Sequence, residues 1–407
     1  MLKLNKMEIP ERTEIIIIGA GLMGCSIAYH LSKEKKEVVV FEKKNIASGA
    51  SGRNGGQVIQ LEGRDKNPKT IKARLEITKE NNKILKNLEK ELNFNLEYQK
   101  IGSLDVALTR EEWEDIKETV KVQKKAGDRE IELLGKKETL KLCPLLTDNV
   151  FGSRFRPSDG TINPFFLTYG FAFKAQKLGA KIFTYTPVKK IIRENNKVKG
   201  VELENGKKVF SDVVINATNA WSIFLCPEID ILPLRQVAVV TEPVAKLPVY
   251  PMEAFIDGDA IFTTTQTKSG NLVAGGFRTQ ARYREKHYDE SVEPIELSGS
   301  SAIFKKIFKG LEDICIIRSW SGVMAVTGDC LPCIGKYPET ENLYIAAGFL
   351  NGMAYGPIVG KLVAELVVYG KTSISIDIFK PERFYKKKIN WPKFYNYTIL
   401  AEFFARV

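Results

Sequence analysis

The chain is 407 residues long and short of several things that would each announce a function class. It has only two histidines, His30 and His287, and its cysteines (25, 143, 226, 315, 330 and 333) never join them at metal-ligand spacing. That argues against a zinc set and leaves no evident histidine base. The cysteines also lack the regular spacing of a secreted framework, so reduced thiols are expected. No apolar run reaches the roughly eighteen residues of a membrane span, because glycines interrupt Ile15–Cys25. The opening MLKLNKMEIPERTE lacks the apolar core of a secretion signal, which points to the cytoplasm. No internal repeat, low-complexity segment or nucleic-acid motif is present. The net charge of +12 is spread over stretches such as LEITKENNKILKNLEKELN, where lysine alternates with glutamate. Solvated helix faces account for it, and no nucleic-acid partner is expected. With 44% hydrophobic and 27% charged residues, the composition is that of a soluble globular protein, long enough for two domains.

What is present is concentrated in Glu14–Gln57. Ile15–Ile18 is a β-branched run of the kind buried on both faces of a sheet. Gly19, Gly21 and Gly24 follow in G-x-G-x-x-G spacing, and Leu22, Cys25, Ile27, Ala28 and Leu31 continue as a helical stripe. A second strand, Val38–Phe41, ends at Glu42, about twenty residues after the glycines. The order strand, glycines, helix, strand, acid is a dinucleotide site. Gly19 makes the turn, Gly21 admits a pyrophosphate and Gly24 lets helix and strand pack closely. The helix N-terminus faces the phosphates, and Glu42 accepts from the ribose hydroxyls.

Further along, helices are predicted over 71–92 and 111–126, and a half-buried strand over 101–108. Residues 144–160 read as loop. Pro164 opens an aromatic helix that Gly179 ends. From Lys181 the pattern changes to strands, closing with DVVINATNAWS. Residues 227–317 hold longer strands, with a hairpin at Ser269-Gly270, and Gly276–Asp289 reads as a polar, basic, mobile loop. The last third resembles the opening segment in pattern, with the strand CIIRSW leading to Ser321-Gly322, the strand LYIAAG, and a glycine-bearing start to the helix at Pro357.

Taken together, IIIIGAGLMG, FEK, ASGASGRNGGQ, DVVINATNAWS, SWSGVMAVTGDCLPCIG and YIAAGFLNGMAYGPIVGKLVAEL resemble the FAD-dependent D-amino-acid oxidase superfamily. The nearer branch is that of glycine oxidase, sarcosine oxidase and the amine and proline dehydrogenases. The resemblance implies an α/β fold in which a Rossmann-type FAD-binding domain (1–92, 144–226 and 318–384) interleaves with an α+β substrate domain on an antiparallel sheet (93–143 and 227–317). A basic-aromatic tail, 385–407, follows. It implies non-covalent FAD with Gly19, Gly21, Leu22, Met23 and Gly24 at the pyrophosphate, and Glu42 and Lys43 at the ribose. Ser48, Ser51, Arg53, Asn54, Gly55, Gly56 and Gln57 would wrap the ribityl and flavin. Val188 would meet the adenine, while Ala217, Thr218 and Trp221 pack near phosphates and sugar. Gly322, Asp329, Gly348, Asn351, Gly352 and Met353 would lie along the pyrimidine side. Three departures from the family pattern bear on chemistry. Met324 stands where an arginine often clamps the substrate carboxylate. Gly322 stands near the position of the cysteine that attaches flavin covalently in one branch, and Asn219 replaces a frequent glycine.

The expected reaction is oxidation of the C–N bond of an amine or amino acid by hydride transfer to flavin N5, electrons then passing to oxygen, a quinone or a partner protein. Tyr250, Arg278, Trp320, Met324 and Tyr355 are the candidates for the substrate face. Cys330 and Cys333, spaced C-x-x-C, leave open a thiol–disulfide flavoenzyme. The tail, with its lysines and aromatics, leaves open peripheral membrane or subunit contact and a role as a flavin-holding, electron-relaying subunit.

Overall fold

The structure is a computed structural model, and it describes residues 8–244, 249–256, 260–281, 283–284, 287–389 and 391. The opening strand Arg12–Ile18 runs parallel to Lys208–Asn216 on one side and to Val38–Phe41 on the other. Leu343–Ala347 and Lys181–Phe183 extend this parallel core, and Cys333–Lys336 closes one edge antiparallel. Both faces are covered, which is why the strand reads as an unbroken apolar run. Ile15 and Ile17 join the helical side, while Ile16 and Ile18 join a core shared with Val198 and Val201 of an antiparallel ribbon.

Three helices define the side that matters for the site. The opening helix Leu22–Lys33 packs against both Pro164–Lys177 and the closing helix Gly356–Tyr369. The closing helix approaches closely because Gly356 and Gly360 carry no side chain. A Cβ at 356 would stand 2.4 Å from Leu22 Cδ2, and one at 360 would stand 2.0 Å from Ser26 Oγ. The starts of the two helices are thereby brought to one end of the sheet, beyond the carboxyl ends of the parallel strands.

A second eight-stranded sheet runs, in order, 316–326, 232–243, 271–280, 260–266, 252–256, 103–107, 152–156 and 132–135. It is antiparallel except where Met252–Ile256 runs alongside Ser103–Ala107. Two of its strands come from segments, 144–226 and 318–384, expected in the FAD-binding domain. Gly152–Arg156 looks like loop because it is polar, yet it pairs with 103–107 and buries Arg156 against Asp128. The strand expected at CIIRSW runs on through Ser321-Gly322 to Val326. Gly322 serves closeness there, since a Cβ would lie 3.0 Å from Arg53 Cβ. The expected basic loop at 276–289 is partly sheet. The strand Asn271–Gln280 runs into it, and Tyr283–Arg284 pairs with His287–Tyr288. Helix Pro294–Ile307 went unread, its start held by the buried Arg235–Glu296 ion pair.

Most of the tail lies outside the described residues. Its described part docks on this chain: Tyr385 packs edge-on against Tyr337, and Ile389 N–H and Trp391 Nε1–H both donate to Asp230. No helix among the described residues is long and apolar enough to cross a membrane.

Candidate active site

A cavity of about 480 Å³ opens where the two sheets meet, within the roughly 300–1,000 Å³ usual for ligand pockets. At the first-sheet end it is lined by Gly19, Gly21, Leu22, Met23, Glu42 and Lys43. Gly19 sits at φ +101°, a left-handed turn in which a Cβ would meet Ala217 O at 2.9 Å. The strand therefore turns into helix without obstructing the helix N-terminus. There Leu22 N–H donates to Ser51 Oγ at 2.8 Å, so a donor that an anion would use faces the cavity beside a hydroxyl. Glu42 is fixed by Ala20 N–H (2.9 Å) and Lys44 N–H (2.8 Å), one on each carboxylate oxygen. Each oxygen keeps a lone pair for a sugar hydroxyl. Lys43 Nζ lies 3.8 Å over the Trp221 ring, and burial pulls its pKa down to about 8.

The middle of the cavity is walled by the 48–57 loop and by the turn before the closing helix. Ser48, Ser51, Arg53, Asn54, Gly55 and Gln57 line it, as do Asn351, Gly352 and Met353. Asn54 and Gln57 also shape the loop. Asn54 Oδ1 accepts from Gly56 N–H, and Gln57 Nε2 donates to Thr264 O at 2.7 Å, tying the loop to the second sheet. Arg53 pairs with Glu290 at 2.8 Å and donates to Ser321 O at 3.0 Å. Asn219, with φ +48°, explains its exchange for glycine: both belong in the left-handed region. Its Oδ1 accepts from Gly348 N–H (3.0 Å) and Phe349 N–H (2.9 Å), holding the turn that leads to Asn351.

Val188, Ala217, Thr218, Trp221, Gly322 and Met324 complete the predicted set that lines the cavity. Four predicted residues stand behind it. Gly24 packs under the Gly19 turn, Gly56 against Ile162 O, and Gly348 against Thr327, while the Asp329 carboxylate takes Arg383 Nε–H at 2.8 Å. Of the other substrate-face candidates, Trp320 turns its Nε1–H to Arg53 O, and Tyr250 packs edge-on against Phe155. Tyr355 is buried at the start of the closing helix. None of these three lines the cavity. The backbone of Arg278 pairs with Gln236, which does line it; the Arg278 side chain lies outside the described residues. Sequence reasoning missed Glu62, Gln236, Thr263, Gly275 and Leu350, which line the second-sheet end. Only strand register brings most of them together, and no motif marks them. Cys330 and Cys333 lie outside the lining, no disulfide joins them, and burial pushes the Cys333 thiol up to about 11.

The fold and this cavity define a dinucleotide-binding α/β enzyme. Residues 14–366 match the model of the DAO family, described as FAD dependent oxidoreductase, and the chain belongs to that family. The glycine turn, the donors facing the cavity beside Ser51 and the anchored Glu42 fit FAD. A solved L-proline dehydrogenase from P. horikoshii is 33% identical, with a TM-score of 0.81 over 92% of this chain and 98% of that one. A glycine oxidase of Bacillus licheniformis is 29% identical across 92% of this chain and 98% of its own length. The fold of glycine oxidase from Geobacillus kaustophilus superposes with a TM-score of 0.81 at 24% identity, covering 91% and 98% of the two chains.

Proposed function

We propose that this FAD-dependent oxidoreductase holds its cofactor non-covalently and oxidises the C–N bond of a small primary or secondary amine, amino acids and proline derivatives included. The observation that carries the proposal is continuity. One cavity runs from the anchored Glu42, past two helix starts, to a patch of Gln236, Thr263, Gly275 and Met324 on the second sheet. The dinucleotide end would hold FAD through Gly21–Met23, Ser51 and Glu42, and the second-sheet patch would hold the substrate. Bound FAD supplies the hydride acceptor. The residues of this chain orient the substrate C–H, exclude water and place charge around it. Gly322 against Arg53 offers no thiol for a covalent bond to flavin, in keeping with a dissociable cofactor. Met324 at the substrate end makes that wall apolar where relatives often carry a cationic clamp, so an amine with an aliphatic body suits it.

Anaerobic mixing of the FAD-loaded protein with glycine, sarcosine, proline, D-amino acids and simple amines tests this. Bleaching of the oxidised flavin band by at least one secondary amine or amino acid is expected. No bleaching across the whole panel overturns it. Release of all flavin as free FAD on denaturation in acid is the expected sign of non-covalent binding.

A further inference from the structure

The substrate end has an acidic corner that cofactor binding does not explain. Across the second sheet, register places Ala238 opposite Gly275, Gly275 opposite Thr263 and Thr263 opposite Glu253. Residues directly opposite one another share a face. Ala238, Gly275 and Thr263 all line the cavity, and Glu253 is the next side chain in their row. It is 2% exposed, and its Oε1 has no hydrogen-bond partner. Its Oε2 accepts from Gly63 N–H at 3.1 Å. Glu62, the residue before that donor, lines the same end of the cavity.

The charges around Glu253 are specific. From the loop that supplies its N–H donor come Glu62 and Arg64, from the neighbouring strands come Asp105 and Arg154, and beyond Arg64 lie Asp115 and Lys66. Arg64 is engaged bidentately by Asp105 (3.0 and 3.3 Å), and Arg154 stands 3.7 Å from Glu253. Arg64 is thus spent on Asp105 and Asp115, Arg154 donates mainly to Gly63 O and Leu61 O, and Arg74, from the helix packed behind this loop, donates to Glu62 O at 2.9 Å. Burial, followed by Glu62 and Asp105, pushes the Glu253 carboxyl up to about 8. Near neutral pH it is uncharged beside Glu62.

An amine meets the enzyme mainly as an ammonium ion and must shed a proton before its carbon can give up hydride. We propose that Glu62 takes that proton, with Glu253 as the positioning residue that fixes the Glu62–Gly63 turn and sets the charge beside it. This rests on the amine-oxidation reading. Atoms and electrons balance: nitrogen gives one proton to a Glu62 oxygen, and the adjacent carbon gives hydride to bound FAD. An iminium ion leaves and is hydrolysed by water, and the proton taken by Glu62 passes to solvent as Glu62 resets. Above about pH 8 Glu253 ionises and places a negative charge beside Glu62.

The test is the pH dependence of the second-order rate of flavin reduction, using whichever of proline or sarcosine bleaches the wild-type flavin. Glu62→Gln is expected to lower this rate roughly 100-fold near neutral pH. The loss should shrink to within about threefold near pH 10, where much of the amine is already neutral. A Glu62→Gln loss that is constant across pH, or no loss, overturns the proposal. Glu253→Gln should erase an inflection near pH 8 that the wild type shows; an inflection that survives overturns the role given to Glu253. Glu62→Asp, which keeps the carboxylate, should recover part of the neutral-pH rate, and no recovery counts against the assignment. FAD content and melting temperature are measured for every variant. A wild type that no amine reduces would sink the substrate reading instead, so the two failures are told apart.

Discussion

At the scale of single residues, the dinucleotide end of the cavity is governed by clearance and the second-sheet end by charge. Gly21 has room for a Cβ only up to Ser51 Oγ, 3.0 Å away, beside the helix start where a pyrophosphate would lie. Gly21→Val should therefore weaken FAD binding by about 1–3 kcal/mol, the usual scale of overpacking, or more. Flavin absorbance of the purified variant against wild type measures it, and full occupancy at equal affinity would remove Gly21 from the cradle. Glu253 makes a separate prediction about stability. Its folded pKa of about 8 lies above the ordinary 4.5, so the folded state holds a proton that the unfolded chain releases in between. Stability from this group therefore falls as pH rises from about 4.5 to about 8. Glu253→Gln, which cannot ionise, should lose less melting temperature than wild type between about pH 5 and about pH 8. These residues differ in legibility. Gly21 and Glu42 could be read directly, because a phosphate and a sugar require the same spacing in any such chain. Glu253 could not: only its register across four strands sets it beside Thr263.

At the scale of elements, the decisive contact is between the opening helix and the closing one. Gly356 and Gly360 let the closing helix lie against Leu22 and Ser26, and so bring its start to the cavity. Gly360→Val would force a side chain into Ser26, whose Oγ would be 2.0 Å from the new Cβ. The helices would have to separate, at a cost of about 2–4 kcal/mol, more than a surface substitution brings. Thermal unfolding together with flavin retention checks this, and both should fall. Unchanged FAD affinity in a destabilised variant would show that the closing helix start does not help build the site. Both helices were legible from their periodicity and glycines. Gly152–Arg156 was read as loop, and Ile316–Val326 was read as strand only as far as Ser321-Gly322, for opposite reasons. The first hides as loop because its charges are neutralised only by tertiary partners. The second carries a glycine whose reason is Arg53, distant in sequence.

At the scale of the whole molecule, the cavity draws its walls from nearly the full length of the chain, from Ile18 to Met353. A ligand bound there would tie the two sheets together, so cofactor and fold should be thermodynamically linked. FAD at about 100 times its dissociation constant is expected to add about 2.7 kcal/mol of stability. Melting temperature should climb with added FAD and then follow its logarithm. A melting temperature indifferent to FAD would mean that the cofactor binds folded and unfolded chains alike, or not at all.

The amino-acid sequence by itself determined the dinucleotide half: the buried strand, the glycine turn, the helix start, the acid and the family they belong to. Those features are local, set by backbone geometry within some thirty residues, and so survive in a linear reading. Tertiary structure alone decided the second-sheet half of the cavity, the proposed substrate end. Gln236, Thr263, Gly275, Glu253 and Glu62 come from separate segments, and no local requirement links them. Cross-strand register and a buried charge network set their proximity, and both exist only once the second sheet has closed against the first.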